Sequence, residues 1–250
     1  MEGDVLYGIN PVLEALRAER QILNKVLIAE GRHGLSLKAL RQLAREKGVP
    51  LQVRPREVLS KLARSERHQG VIGLASGFLY ASWEDLLSSI RSAPGSALVL
   101  ILDGLEDPQN LGSLIRTAEA CGVQGIILPK DRAVGITPAV VKASAGAAVH
   151  VPVVRVTNLA RTLEELKKEG LWIVGADARG GKNLYEMTFD MNLGLVIGSE
   201  GKGIRPLVLK KCDHTISIPM KGKISSLNAA IAGAVILFEI LRQRFSRKTS

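Results

Sequence analysis

The run Ala97-Leu98-Val99-Leu100-Ile101-Leu102 leads directly into the polar turn Asp103-Gly104-Leu105-Glu106-Asp107-Pro108. A strand with one solvated face alternates apolar and polar residues, whereas six apolar residues in a row suit a strand covered on both faces. Gly125-Ile126-Ile127-Leu128, Leu171-Trp172-Ile173-Val174-Gly175 and Leu193-Gly194-Leu195-Val196-Ile197 have the same character. Helical segments near 113–121, 138–147, 158–169 and 205–211 separate them. Strands alternating with helices of this length predict parallel βαβ crossovers, hence an α/β domain on a parallel sheet over residues 97–250. The stretch 227–241 is apolar on every side until Glu239, so a helix there must be buried inside the domain or against a second copy of the chain.

Upstream, residues 76–96 hold Ser88-Ser89, Ser92 and Ala93-Pro94-Gly95-Ser96 and are expected to form a linker, with a helical turn near Trp83-Glu84-Asp85-Leu86-Leu87. Residues 1–75 alternate short strands (Val5-Leu6-Tyr7-Gly8-Ile9, Lys25-Val26-Leu27-Ile28-Ala29, Leu51-Gln52-Val53, Val71-Ile72-Gly73-Leu74) with helical patterns. They predict a small, separate α/β unit. Asn10-Pro11 offers a cap and a first helical residue for its first helix.

The 250 residues carry 34 Lys and Arg against 24 Asp and Glu, a net charge of +10. Residues 1–75 hold 13 of those cations and 8 of the anions, so half the excess lies on less than half the length. A polyanion such as RNA is the partner this favours, because phosphate neutralisation by Lys and Arg supplies most sequence-independent affinity. With aromatics at 4%, base stacking cannot be the main mode of capture. A 46% hydrophobic content excludes a disordered chain. No apolar run approaches the roughly 20 residues that span a bilayer. Met1-Glu2-Gly3-Asp4 lacks the pattern of a secretory signal, so a cytoplasmic protein is expected. Cys121 and Cys212 form no CxxC pair, and His33, His68, His150 and His214 have no metal-ligand spacing; neither a disulfide framework nor a metal site is expected.

In open α/β sheets ligands bind beyond the carboxyl ends of the strands. Three loops there are unusual. After residues 97–102, Asn110 and Gly112 open a helix with Arg116 inside it, where a guanidinium could hold a phosphate with paired donors or be ion-paired to Asp103 or Asp107. After 193–197, Gly198-Ser199-Glu200-Gly201-Lys202-Gly203 has three glycines in six residues, able to bring backbone close to a ligand or simply to turn the chain. After a strand at Thr215-Ile216-Ser217-Ile218 comes Pro219-Met220-Lys221-Gly222-Lys223-Ile224-Ser225-Ser226-Leu227-Asn228. Ser225 or Ser226 would cap the apolar helix, and Asn228 in its first turn could donate or accept at the helix mouth; capping by serine alone does not explain so polar a residue there.

Together the three segments resemble a known family. Asn110-x-Gly112-x-x-x-Arg116-Thr117-Ala118, then Ile197-Gly198-Ser199-Glu200-Gly201-x-Gly203, then Ile218-Pro219-Met220-x-Gly222-x-x-x-Ser226-Leu227-Asn228 are similar to the ordered motifs of the SpoU/TrmH (SPOUT) RNA ribose 2'-O-methyltransferases. The front unit, with Tyr7-Gly8-Ile9-Asn10-Pro11-Val12 and His68-Gln69-Gly70-Val71, resembles the small RNA-binding domain of the subgroup that modifies a guanosine of 23S ribosomal RNA.

The resemblance implies a trefoil knot in the C-terminal domain, S-adenosyl-L-methionine as cofactor, and a homodimer whose active site draws on both subunits. It implies Arg116, Asn110, Glu200, Ser226 and Asn228 as the catalytic set and Gly198, Ile218, Leu227, Gly175 and Met220 as cofactor contacts, largely through backbone. Asn228 is followed by Ala229-Ala230 where the family often has Val-Ser. Transfer RNA as the substrate, or a non-catalytic RNA-binding role, are the competing expectations. His68 is expected either to meet a base or to sit in a satisfied turn, and His150 and His214 to be structural.

Overall fold

The computed structural model describes residues 4–18, 23–75, 78–223 and 226–247. In chain order the strands are β1 (Asp4–Tyr7), β2 (Leu23–Ala29), β3 (Leu51–Arg54), β4 (Val71–Ala75), β5 (Leu98–Asp103), β6 (Gly125–Pro129), β7 (Val153–Val156), β8 (Trp172–Ala176), β9 (Lys182–Asn183), β10 (Leu193–Gly198) and β11 (His214–Ser217). The helices are α1 (Ile9–Arg17), α2 (Leu35–Glu46), α3 (Arg56–Ala63), α4 (Trp83–Arg91), α5 (Pro108–Ala120), α6 (Pro138–Ala143), α7 (Leu159–Lys168), α8 (Pro206–Leu209) and α9 (Ala229–Arg247). Among the described residues no helix is long and apolar enough to cross a membrane.

The chain divides into two compact units, one of residues 1–79 with 136–150 and one of 80–135 with 151–250. In the first, the sheet order is β1-β4-β2-β3, with β4 antiparallel to both neighbours and β2 parallel to β3. Helix α1 starts one residue before Asn10. Gly8 is its N-cap, at φ 104, and the Gln69 Oε1 accepts from the Ile9 N–H at 3.1 Å, so the expected Asn10 cap is replaced by a glycine turn tied to the loop before β4.

The segment 136–150, expected to continue the parallel-sheet domain, packs with the front unit. Its helix α6 stops at Ala143. Lys142 Nζ lies over the Tyr7 ring, 4.1 Å from its centre, and His150 Nε2 lies 2.7 Å from Glu14 Oε2. Gly146, at φ 93, allows this approach: a Cβ there would fall 2.4 Å from Glu14 Cβ. Ile136, Val140 and Ala148 are buried in the same docking.

The second unit has a seven-stranded sheet in the order β7-β6-β5-β10-β8-β11-β9, every neighbouring pair parallel. Strands β5, β6 and β10 are buried along their whole length, as continuous apolar runs require. Within the stretch expected as a linker, α4 is held by a capping box between Ser82 and Asp85 and buries Leu86 and Ile90 in the main core. Burying two such side chains contributes about 1.5–3 kcal/mol each. A Cβ at Gly125 would fall 2.3 Å from Leu86 Cδ1, so the glycine that begins β6 is what lets α4 sit against the sheet. Ser76 and Gly77, in the same stretch, lie outside the described residues.

Helix α9 packs on α5, where a Cβ at Gly233 would meet Leu114 Cδ2 at 2.3 Å. It is not buried all round. Ile236, Leu237 and Ile240 face the core, while Ile231, Phe238 and Phe245 are 54%, 53% and 62% exposed. Seven-residue spacing puts those three on one stripe. Near its C-terminal end, Arg244 donates to the carbonyls of Phe189, Ser96, Ala97 and Met191 at 2.6–3.2 Å, anchoring the helix to the strand-entry side of the sheet. Burial without a carboxylate partner holds this guanidinium below its ordinary pKa.

Candidate active site

The carboxyl ends of β8, β10 and β11 and the start of α9 surround a cavity of about 450 Å³. It is lined by 176–179 at and after the end of β8, 197–203 at and after β10, 216–218 and Met220 at and after the end of β11, then Ser226, Leu227 and the α9 residues Ala229, Ala232 and Ile236. Of the residues singled out by resemblance, Gly198, Ile218, Met220, Leu227, Ser226 and Glu200 thus share one wall system.

The loop after β10 closes on itself. Ser199 N–H donates to the Gly203 carbonyl at 3.2 Å and Gly203 N–H to the Ser199 carbonyl at 2.9 Å. Gly198 is packed so tightly against this turn that a Cβ would lie 2.1 Å from the Gly203 carbonyl carbon. Only glycine fits, which leaves backbone as the cavity wall here. Gly175 differs. It is one residue short of the lining, and a Cβ on it would meet Cys212 Sγ at 3.0 Å and Ile204 Cδ1 at 3.1 Å, so its open side faces the core.

Beside the cavity three polar side chains from distant parts of the chain converge. Asn110, in the first turn of α5, donates from Nδ2 to Glu200 Oε1 at 3.0 Å. Asn228 Nδ2 donates to Asn110 Oδ1 at 3.0 Å and also to Glu200 Oε1, which accepts as well from the Ala229 N–H at 3.4 Å. The Asn228 Oδ1 accepts from the N–H groups of Ala230 and Ile231 at 2.9 and 3.2 Å, capping α9. This cap fixes which way round the Asn228 amide lies. The serine expected to cap is therefore replaced by Asn228: Ser226 lines the cavity, and Ser225 lies outside the described residues.

Arg116 is not in this cluster. It lies six residues beyond Asn110 on α5, about 9 Å along the axis at the usual rise, and is exposed. Both carboxylates that could have paired with it are occupied. Asp107 caps α5, accepting from Gln109 and Asn110 N–H groups. Asp103, at the buried end of β5, accepts from Arg205 Nε at 2.7 Å and from Arg205 N–H at 2.8 Å. Among the described residues the Arg116 side chain has no hydrogen-bond or ion-pair partner.

The sequence reading missed two ion pairs here. Asp103–Arg205 clamps the far end of the glycine loop to β5, signalled only by an acid at the end of an otherwise apolar run. Asp177–Arg179, on the cavity wall, is joined at 3.0 Å, and the Arg179 hydrogen bond holds Asp177 below the usual carboxylate range. Burial pushes Cys121 up to about 11 and Cys212 up to about 12, so neither is a thiolate nucleophile at neutral pH. His68 is fully buried rather than placed for a base. Its Nδ1 accepts from the Gly70 N–H at 3.0 Å, which leaves Nε2 to donate to Ser60 Oγ at 3.1 Å. His214 stacks on Trp172, rings 5.7 Å apart.

The pattern of the SpoU rRNA Methylase family matches residues 97–238, and that of RNA 2'-O ribose methyltransferase substrate binding matches 5–81. A Bacillus subtilis protein named as a TrmH family tRNA/rRNA methyltransferase, YacO, is 45% identical over 243 residues, 97% of each chain. A TrmH family relative from Staphylococcus haemolyticus is 45% identical over 244 residues, covering 98% of this chain and 97% of its own. The crystal structure of the SpoU methyltransferase AviRb from Streptomyces viridochromogenes, in complex with AdoMet, superposes with a TM-score of 0.81 at 26% identity over 97% of this chain and 90% of that one. With both units matched and relatives this similar over nearly their whole length, the chain belongs to the SpoU/TrmH family of RNA methyltransferases.

Proposed function

We propose that the protein transfers a methyl group to a ribose 2'-hydroxyl of RNA, at a guanosine of 23S ribosomal RNA, as a cytoplasmic homodimer using S-adenosyl-L-methionine. The observation that carries this reading is the junction of the Asn110–Glu200–Asn228 cluster with the cavity, through Glu200, which belongs to both. The residues present fit that cofactor. Gly198 and its closed loop offer backbone groups without side-chain obstruction, while Ile218, Leu227, Met220 and Ile236 supply the apolar surface a purine needs. When bound, the cofactor supplies an electrophilic methyl on a sulfonium.

The chain's own groups orient the acceptor. Glu200, fixed through Oε1 by two asparagine amides, presents its other oxygen to an incoming hydroxyl. Arg116 serves to hold a phosphate and the 2'-oxygen, since a guanidinium with a pKa above about 12 is a poor base. A second copy supports its use: α9 bares the stripe Ile231, Phe238 and Phe245, and α5, which carries Arg116, is the helix packed beside α9. The trefoil knot implied by the family belongs to the same reading, as does the division of labour between a front RNA-binding unit and a catalytic unit.

The test is methyl transfer from labelled cofactor to purified 23S ribosomal RNA and to transfer RNA, with primer-extension mapping at low dNTP. A new stop at one 23S guanosine is expected. Label in transfer RNA alone would favour the reading that the relatives' double description, tRNA/rRNA, leaves open. Label in neither would leave an RNA-binding protein without catalysis.

A further inference from the structure

Several cations of the catalytic unit are ion-paired at 2.7–3.0 Å: Arg91 with Glu169, Lys167 with Asp213, Lys211 with Glu164, Arg179 with Asp177 and Arg205 with Asp103. On the loops at the carboxyl side of the sheet, Lys130, Arg132, Lys202, Lys221 and Lys223 have no hydrogen-bond or ion-pair partner for their side chains among the described residues. That is the side on which the cavity opens.

Two of these cations sit on a loop that is held rigid. In the segment 130–135, Lys130 N–H donates to the Val156 carbonyl and Val134 N–H to the Leu105 carbonyl, both at 2.8 Å. Arg155 donates to the Lys130 carbonyl, and its guanidinium lies over the Tyr80 ring, 5.3 Å from the centre. Arg132 is non-glycine at φ 56, a left-handed conformation that costs free energy and is kept only where the surroundings impose it. Gly104 lies between this loop and the site: a Cβ built on it would lie 3.6 Å from the Arg132 carbonyl oxygen and 4.0 Å from Ser199 Cβ, next to Glu200.

Resting on the methyl-transfer reading above, we infer that Lys130 and Arg132 form an RNA-phosphate clamp of the catalytic unit itself, seating the backbone of the target strand against the cavity mouth. An exposed, unneutralised, pre-ordered guanidinium beside a ribose-modifying site suits a phosphodiester, which accepts paired donors. An acidic protein surface would not need cations placed beside a cavity that takes a sulfonium cofactor.

The test measures binding of 23S ribosomal RNA to the full chain across a potassium chloride series, together with cofactor affinity by calorimetry. Arg132→Gly removes the charge and relieves the backbone, so loss of binding cannot be unfolding. The slope of log K against log salt is expected to fall by about 0.7–0.9 for one lost phosphate contact, and by about twice that with Lys130→Ala added. Cofactor affinity is expected to stay unchanged, and Arg132→Lys to restore most of the slope. A wild-type slope in the double variant overturns the clamp, as does an equal loss of cofactor affinity. If the wild-type protein transfers methyl to no RNA, the functional reading fails instead, and the slope still reports whether these two side chains meet phosphate.

Discussion

Asn228 and Asn110, 118 residues apart in the chain, are joined directly: the amide of the first donates to the carbonyl of the second at 3.0 Å, and both donate to Glu200. One side chain thereby does two things, because the Asn228 carbonyl also caps α9. Asn228→Ala should lower stability by about 1 kcal/mol through the lost cap and abolish turnover. Asn228→Ser, which keeps a cap acceptor but not the amide donor, should retain most of the stability and still lose turnover. Calorimetric melting beside methyl-transfer rates separates the effects; parallel recovery of both in the serine variant would deny the amide its second task.

Gly198→Ala must push a methyl into the backbone of Gly203, since 2.1 Å is far inside contact distance. The loop cannot yield without leaving the cavity wall, so cofactor affinity should drop tenfold or more, about 1.4 kcal/mol. Titration calorimetry reads this directly, and an unchanged dissociation constant would mean the loop is not the wall.

Arg116→Ala should eliminate transfer while leaving cofactor binding nearly intact, because Arg116 lies outside the cavity lining. Comparable losses in calorimetry and in turnover would contradict the separation.

Removing residues 1–79 should do more than weaken RNA binding. It uncovers Ile136, Val140 and Ala148 in the segment that docks on the front unit. The truncated chain is expected to aggregate, and replacing 136–150 by a short glycine-serine bridge to restore solubility. Light scattering on both forms checks this; a soluble simple truncation would show that the docking contributes little.

Burial, and secondarily the charge of Arg56, hold His68 below its ordinary value of 6.5. The folded protein then takes up this proton less readily than the unfolded chain. Stability is full above about pH 6.5 and is lost as pH falls from there toward the lower folded value. Urea midpoints on either side of pH 6.5 should show this dependence in the wild type and lose it in His68→Gln; identical profiles would place the proton elsewhere.

Much of this architecture was legible beforehand. The buried runs at 97–102, 125–128 and 193–197 could only be two-sided strands, and the three motif loops were located because each follows such a run. What escaped had long-range causes. No local pattern at Thr137 or Lys142 announces that 136–150 abandons its own sheet for Tyr7 and Glu14; the decisive fit is Gly146 against a residue 132 positions away. Leu86 and Ile90 were hidden inside a serine-rich stretch whose composition suggested a tether. Asn228 was expected in the first turn of the apolar helix behind a serine cap; the backbone makes Asn228 the cap itself. Neither the Asp103–Arg205 clamp nor the burial of His68 can be read without knowing which strand ends lie together.

The unpaired cations on the carboxyl-side loops, Lys130, Arg132, Lys202, Lys221 and Lys223, give the surroundings of the cavity a local field of their own as well as a share of the net charge. A polyanion diffusing nearby would be turned by that field before any contact forms, so collisions would favour the face where the cavity opens. Ionic strength would then govern how quickly encounters succeed, ahead of how long they last.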